Sequence, residues 1–337
     1  FGSHLMKTEV GLGIQSDKSG ADYASIAARA EECGIDVLTV FSDLMFQPPL
    51  FALLEMARAT KKVRLGPACL NPYSMAPYEI AGHIATLDLA SQGRAYLGLA
   101  KGTWLAAVGL EQPKPVVMIR ECWEVVSRLL SKNTDGFSGQ YFSLAPSTAF
   151  YFEPFRSAVP LLIGTWGEQT AALAGRVADE VKIGGSANPG MLPIMRAMIE
   201  KGANQINRNV DEVRICIGAV TVVDEDGERA RTLARTEVAM YIAVVAELDS
   251  SANVDPDLLS RIKVRVDQGN FEAAGKLIPD DVLDLFAFSG TPEQVAAQAQ
   301  LLIDAGAGRV EFGTPHGITP ARGVELIGTR VLPLLNR

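Results

Sequence analysis

Asp43 closes the apolar run DVLTVFSD and is the first side chain in this sequence whose type and place could do chemistry. There it could accept a hydrogen bond from a planar ring or take up a proton, and it could equally cap the helix that follows. Asn71, just before Pro72, fits a turn or a ligand contact. Lys101 offers a cation for an anion or a solvated loop lysine. Trp104 and Trp166 are flat enough to wall an aromatic ring, although packing alone would also account for them. The run Gly164-Thr165-Trp166-Gly167 leads into EQTAALAGRVAD. Free backbone N–H groups and the positive end of that helix suit a phosphate, and plain helix capping is the competing reading. Of three histidines, His4 lies in the leader, His83 falls in an apolar helical segment and His316 sits on a glycine-rich loop. No HExxH or CxxC spacing occurs, so no protein-bound metal is expected. Cys33, Cys69, Cys122 and Cys216 are separated by 36, 53 and 94 positions, which fits buried thiols in a reducing compartment, the cytoplasm.

The elements that must position these groups alternate. Apolar or β-branched runs begin near Thr8, Asp36, Val63 and Arg94, at steps of 28, 27 and 31 residues. Helix-period segments fill the gaps at 23–33, 50–60, 78–90 and 116–130; the first ends at Gly34 and the third starts at Pro77. Strand-like runs continue at 159–164, 179–184, 213–223 and 309–313, with helices expected at 167–177, 190–206, 228–248 and 292–305. Eight strands, nearly all apolar on both faces and each followed by a helix, predict a parallel (β/α)8 TIM barrel. Two stretches break the rhythm. Residues 133–158 suit a short hairpin or lid, and 249–290 form a second insertion with helical pieces. The chain reads as one domain over 6–337, preceded by FGSHL (1–5), an expression-vector remnant. In such barrels the reacting groups gather at the carboxyl ends of the strands. That face would bring Gln15, Asp43, the Ala68-Cys69-Leu70-Asn71 tip, Lys101, Gly102, Trp104, Thr165 to Gly167 and His316 together.

Composition narrows the partners. With 31 basic against 39 acidic side chains the net charge is -8, which repels phosphate polymers and anionic lipid. At 48% hydrophobic residues and a mean hydropathy of +0.15, the composition is that of a globular protein without a membrane-length apolar run. A small-molecule substrate is expected, with neither nucleic acid nor membrane.

The segments GRAYLGLAKG, GPACLNPYSMAPYEIA, PLLIGTWGEQTAALAGRVADEVKIGG and GRVEFGTPHG occur in this order across nearly the whole chain. Together they resemble the bacterial-luciferase-like superfamily, and within it the deazaflavin (coenzyme F420) reductases of the methylenetetrahydromethanopterin reductase kind. The resemblance implies a flavin or deazaflavin at the barrel mouth, over a bulge and a non-prolyl cis peptide at Ala68–Cys69. It implies ring contacts from Asp43 and Asn71, a cofactor side chain lined by Lys101 and Gly102, and a ribityl-phosphate region at Thr165, Trp166 and Gly167. Gln15, Trp104 and His316 are then left to meet substrate. Three positions depart from the pattern: Leu44 follows the strand-two aspartate in place of histidine, Gln15 replaces a glutamate, and Thr103 replaces a carboxylate. The implied activity is F420-dependent hydride transfer to a C=N or C=C bond, with Asp43 the catalytic candidate. The alternatives are an FMN-dependent monooxygenase served by a partner reductase, or a cofactor-binding protein without turnover. Pairing through outer helices, with TLDLA and LFALLEMA as candidate surfaces, implies a homodimer.

Overall fold

Local signals start and stop the elements. A computed structural model describes residues 7–337; the leader read as a vector remnant lies outside the described residues. After β1 (Glu9–Ile14), Ser19 caps α1 (Gly20–Glu32) by accepting from Asp22 N, while Asp22 returns a bond to the Ser19 backbone. Tyr23, Ala27 and Ala30 turn inward, and Gly34 at φ 87° ends the helix. The units β2 (Val37–Val40) with α2 (Pro49–Ala59), β3 (Arg64–Pro67) with α3 (Pro77–Ala90), and β4 (Leu97–Leu99) with α4 (Pro115–Ser131) follow. Each of these three helices opens on a proline, whose fixed φ suits a first turn.

Residues 133–158 hold the expected hairpin, β5 (Phe137–Ser138) against β6 (Ser143–Leu144), antiparallel. Glu121 of α4 pins it. Only 1% exposed, its carboxylate accepts the backbone N–H groups of Gln140, Tyr141 and Phe142 at 2.8, 2.8 and 3.1 Å.

The second half runs β7 (Leu161–Gly164), α5 (Glu168–Val177), β8 (Glu180–Gly184), α6 (Met191–Asn204), β9 (Arg214–Val223), α7 (Gly227–Val245), α8 (Pro256–Asp267), α9 (Phe271–Gly275), α10 (Asp280–Phe286), β10 (Ala287–Gly290), α11 (Pro292–Asp304), β11 (Arg309–Gly317) and α12 (Pro320–Leu326). Neighbouring strands pair in parallel in the order β3-β2-β1-β11-β9-β8-β7-β4. The bridges Leu65↔Ala95 and Leu70↔Leu99 bring β3 to β4 and nearly close the ring. The fold is the expected (β/α)8 barrel. Its eight strands and the helices around them fall where periodicity placed them, within a few residues.

Two features of the strands differ from expectation. β10 was not foreseen, because AFSG is short and carries three small residues; it pairs with the upper end of β9, Ala287 to Val220 through Gly290 to Val223. That pairing supports a second apolar core over one side of the barrel, where Val238 and Ile242 of α7 meet Leu259 of α8 and Phe286 of α10. The other difference concerns polarity. β8 and β11 are not apolar on both faces: Glu180, Lys182, Arg309 and Glu311 alternate along them and are 7% exposed or less. Alternation sends them into the barrel lumen, where opposite charges on neighbouring strands can satisfy one another. Lys182 Nζ bonds Glu311. Thr39 Oγ1 donates to Glu311 Oε2 at 2.7 Å and so accepts from the Tyr96 hydroxyl. Arg309 Nε lies 3.1 Å from Cys216 Sγ and 3.2 Å from Glu180 Oε1.

Candidate functional site at the barrel mouth

The third strand ends in a cis peptide between Ala68 and Cys69, at the bond the resemblance implied. The chain then rejoins the ring beside β4: Leu70 N donates to Gly98 O at 2.9 Å and Ala100 N to Leu70 O at 3.0 Å. Cys69 points toward β7, where a side chain on Gly164 would begin 2.8 Å from its sulfur. Only glycine fits there. Burial pushes the Cys69 thiol up to about 11, so it is a neutral surface and no nucleophile.

Lys182 forms the floor of the mouth. Its ammonium lies 4.8 Å from the centre of the Phe41 ring. Burial alone would favour the neutral amine, but the Glu311 carboxylate, followed by Cys216 and Tyr96, outweighs it and keeps the charge. That charge reaches both Cys69 and Asp43. Lys182 on β8 therefore acts on the groups at the ends of both β2 and β3.

At its edge, desolvation pushes the Asp43 carboxyl above the usual carboxylate range, while the Gln15 amide and Lys182 pull it back. Gln15 is 8% exposed, and its Nε2 has no acceptor among the described residues. It lies near enough to favour the charged Asp43 without the alignment of a hydrogen bond. A buried donor left open beside a carboxylate is a place for a polar ligand atom.

The other expected residues divide. Asn71 Oδ1 is committed to a turn, accepting from Tyr73 N at 3.1 Å, Ser74 N at 2.9 Å and Ser74 Oγ at 3.0 Å. Its amide faces Gly102, where a Cβ would lie 3.1 Å from Nδ2. Thr165 Oγ1 accepts from Gly167 N at 2.9 Å within the turn, Gly167 is the N-cap of α5 with no side-chain cap bond, and the first amides of α5 remain to meet an anion. Trp166 Nε1 donates to Gly184 O at 3.0 Å, which fixes the indole between the tips of β7 and β8. Lys101 and Trp104 are exposed at the rim. His316 follows the cis Thr314–Pro315 bond and is 2% exposed. Its Nε2 lies 3.0 and 3.1 Å from the carbonyls of Gly13 and Phe312, so that nitrogen carries the proton and ties the ends of β1 and β11. Burial holds its pKa down at about 4, and the ring stays neutral.

Sequence reasoning missed Lys182 and Glu311, although the alternating charges in DEVKIG and RVEFG were a usable signal. It also missed Glu237 and Tyr241 of α7. Burial pushes the Tyr241 phenol up to about 12, and the charges of Asp43 and Glu237 add to that, which links Tyr241 electrostatically to the strand-two edge of the mouth.

A parallel barrel whose strand tips carry a cis bulge, an aspartate and a glycine-lined turn has the layout of an enzyme barrel, with its polar groups at the carboxyl ends of the strands. The match to the luciferase-like monooxygenase model over residues 2–309 is specific, and the chain belongs to that family. A 5,10-methylenetetrahydromethanopterin reductase from Methanopyrus kandleri is 27% identical, with 96% of this chain and 98% of that protein covered. An F420-dependent glucose-6-phosphate dehydrogenase from Kineococcus radiotolerans is 29% identical, covering 93% and 92%. The solved structure of the coenzyme F420 dependent tetrahydromethanopterin reductase from Methanopyrus kandleri superposes with a TM-score of 0.89 at 25% identity, over 98% of this chain and 100% of that one.

Proposed function

We propose that this chain is an oxidoreductase that binds coenzyme F420 at the barrel mouth and moves a hydride between the deazaflavin and a small organic substrate with a C=N or C=C bond. The observation that carries this reading is full-length similarity to relatives named for F420, in sequence and in fold together. The FMN monooxygenase alternative has the family's name in its favour and nothing at the mouth that selects it.

The residues present fit such a cofactor. The unfilled Gln15 amide and the Asp43 carboxyl offer a donor and an acceptor at the edge of a ring. Gly102 and Gly164 leave backbone open where any side chain would crowd Asn71 or Cys69. The N-terminus of α5 offers amides to a phosphate. When bound, the reduced deazaflavin supplies the hydride. The residues that would hold it are the Ala68–Cys69 bulge as a backing surface, Trp166, fixed by its bond to Gly184 O, at the side, and charged Lys182 beneath the mouth, which would oppose positive charge there. Positioning of this kind needs no ionised acid at the reacting carbon.

The same reading extends to assembly and place. Phe51, within LFALLEMA, and Leu89, within TLDLA, are 66% and 52% exposed, and Met45 and Phe46 beside α2 are 82% and 47% exposed. These apolar groups support a homodimer through α2 and α3. Four free thiols support a cytoplasmic setting. No helix among the described residues is long and apolar enough to cross a membrane.

Titrating the protein with oxidised F420 and with FMN, and following the visible band and fluorescence, tests the assignment. Saturable binding of F420 with little or none of FMN is expected. Preference for FMN would replace the reading with the monooxygenase one, and failure of both would leave a barrel without either cofactor.

A further inference from the structure

The reaction proposed above needs a proton as well as a hydride, and Leu44, Gln15 and Thr103 stand where the resemblance expects acids. Helix α7 supplies a replacement. Glu237, Tyr241 and Val245 are four residues apart and so form one stripe along the helix. At the far end of the stripe, Val245 Cγ1 lies 3.5 Å from where a side chain on Gly185 would start, which brings the stripe to the tip of β8. β8 stands opposite β2, four strands away around the ring in either direction. Trp166, at the tip of β7, packs against the same apolar core as Val238, Ile242 and Val245 of α7, so this part of the helix lies beside the mouth, and the Asp43 carboxylate at the tip of β2 adds to the rise of the Tyr241 phenol.

Tyr241 is half-buried and Glu237 exposed. Neither has a hydrogen-bonding partner or ion pair among the described residues, whereas Arg231 and Arg235 on the same helix are tied to Asp280 and Asp284. Two polar groups are therefore left free on the stripe of α7 that ends at Val245 beside the tip of β8.

We infer that Tyr241 is the proton donor for the hydride transfer, and that Glu237, one turn before it, returns the proton to it from water. The inference rests on the F420 reading. In the reducing direction the acceptor's double bond opens, its carbon takes the hydride and its partner atom takes the phenolic proton. The tyrosinate then recovers a proton through Glu237 from solvent, so the acceptor gains two electrons and two protons; the cofactor would give up a hydride and release one proton to solvent, and no net proton is consumed. Burial and the neighbouring carboxylates keep the phenol protonated through the neutral range, as a donor requires. Neighbouring protein partly desolvates the Glu237 carboxyl and raises it, while its exposed side keeps it open to water, which suits it to carry a proton.

The test uses protein labelled with carbon-13 at the tyrosine ring carbon that bears the hydroxyl, with the Tyr241 resonance assigned by its loss in Tyr241→Phe. Saturation with oxidised F420 is expected to move that resonance, and Asp43→Asn to lower the pH at which it titrates. With reduced F420, and a cyclic imine or cyclohex-2-enone as probe acceptors for the C=N and C=C cases, Tyr241→Phe is expected to lose about 100-fold or more in kcat with KM little changed. Glu237→Gln is expected to make the rate depend on the concentration of buffer acid, which then replaces the lost shuttle. A resonance unmoved by saturating cofactor, or a Tyr241→Phe enzyme as fast as wild type, overturns the inference while the F420 reading stands. If F420 leaves its own visible band unchanged, the cofactor reading fails instead, and the Asp43→Asn titration alone decides whether Tyr241 shares the mouth with Asp43. Wild-type protein inert toward both acceptors leaves the decision to the resonance.

Discussion

Lys182 keeps its charge inside the barrel because Glu311, 1% exposed, is bonded to it, and each ion is the other's solvent. Lys182→Met would strand that carboxylate. Loss of about 3–5 kcal/mol in urea unfolding is expected, and the double variant Lys182→Met/Glu311→Leu should recover most of it. His316 gives a pH dependence of definite sign. Its folded pKa of about 4 lies below the ordinary 6.5, so the unfolded chain binds the proton more readily. The native state is favoured fully above pH 6.5 and loses about 3 kcal/mol from this group as the pH falls from 6.5 to 4. Comparing unfolding at the two pH values in wild type and His316→Gln checks it: the variant should lack that part of the slope. Asp43 and Gln15 were legible in the sequence because polar residues at the ends of apolar strands face the mouth by construction. Lys182 and Glu311 were not. A charge inside a strand points either into the lumen or out to the helices, and only the closed ring decides which.

Among the elements, the βα units could be read from periodicity and caps because each is a local agreement of propensity, proline and glycine. The hairpin at 137–144 was legible as a break in rhythm, but what holds it was not, since Glu121 is about twenty residues from the amides it binds. Burial raises the Glu121 carboxyl, but bonds from three backbone amides, helped by Arg120, outweigh it and hold the carboxyl below its usual value. The clamp is therefore complete above the ordinary carboxylate range and is lost as pH falls beneath it. Glu121→Gln should cost about 2 kcal/mol. Hydrogen exchange at the amides of 140–142 should rise selectively, and if those amides stay protected in the variant the hairpin is held by something else.

At the level of the molecule, the barrel was legible because eight repeats of one pattern leave few topologies. The second core was not, since it depends on β10 finding the upper part of β9 across a long insertion. The apolar α2–α3 face gives a prediction at this scale. Phe51→Glu should convert the proposed homodimer to a monomer in sedimentation, with little change in thermal stability of the isolated subunit, because Phe51 is 66% exposed in the single chain.

β9 and β11 are ten and nine residues long, while β1 has six and β4 three. The overhang of β9 carries β10, and the second core built on that pair holds the helices between 227 and 286, so this layer hangs from one side of the ring, and the tips of β2, β3 and β4 that would grip a cofactor lie on the other. Such a layout lets a lineage exchange that layer without disturbing its grip. Transplanting that stretch from a cousin with a different appetite should move the choice of acceptor and leave deazaflavin affinity where it was.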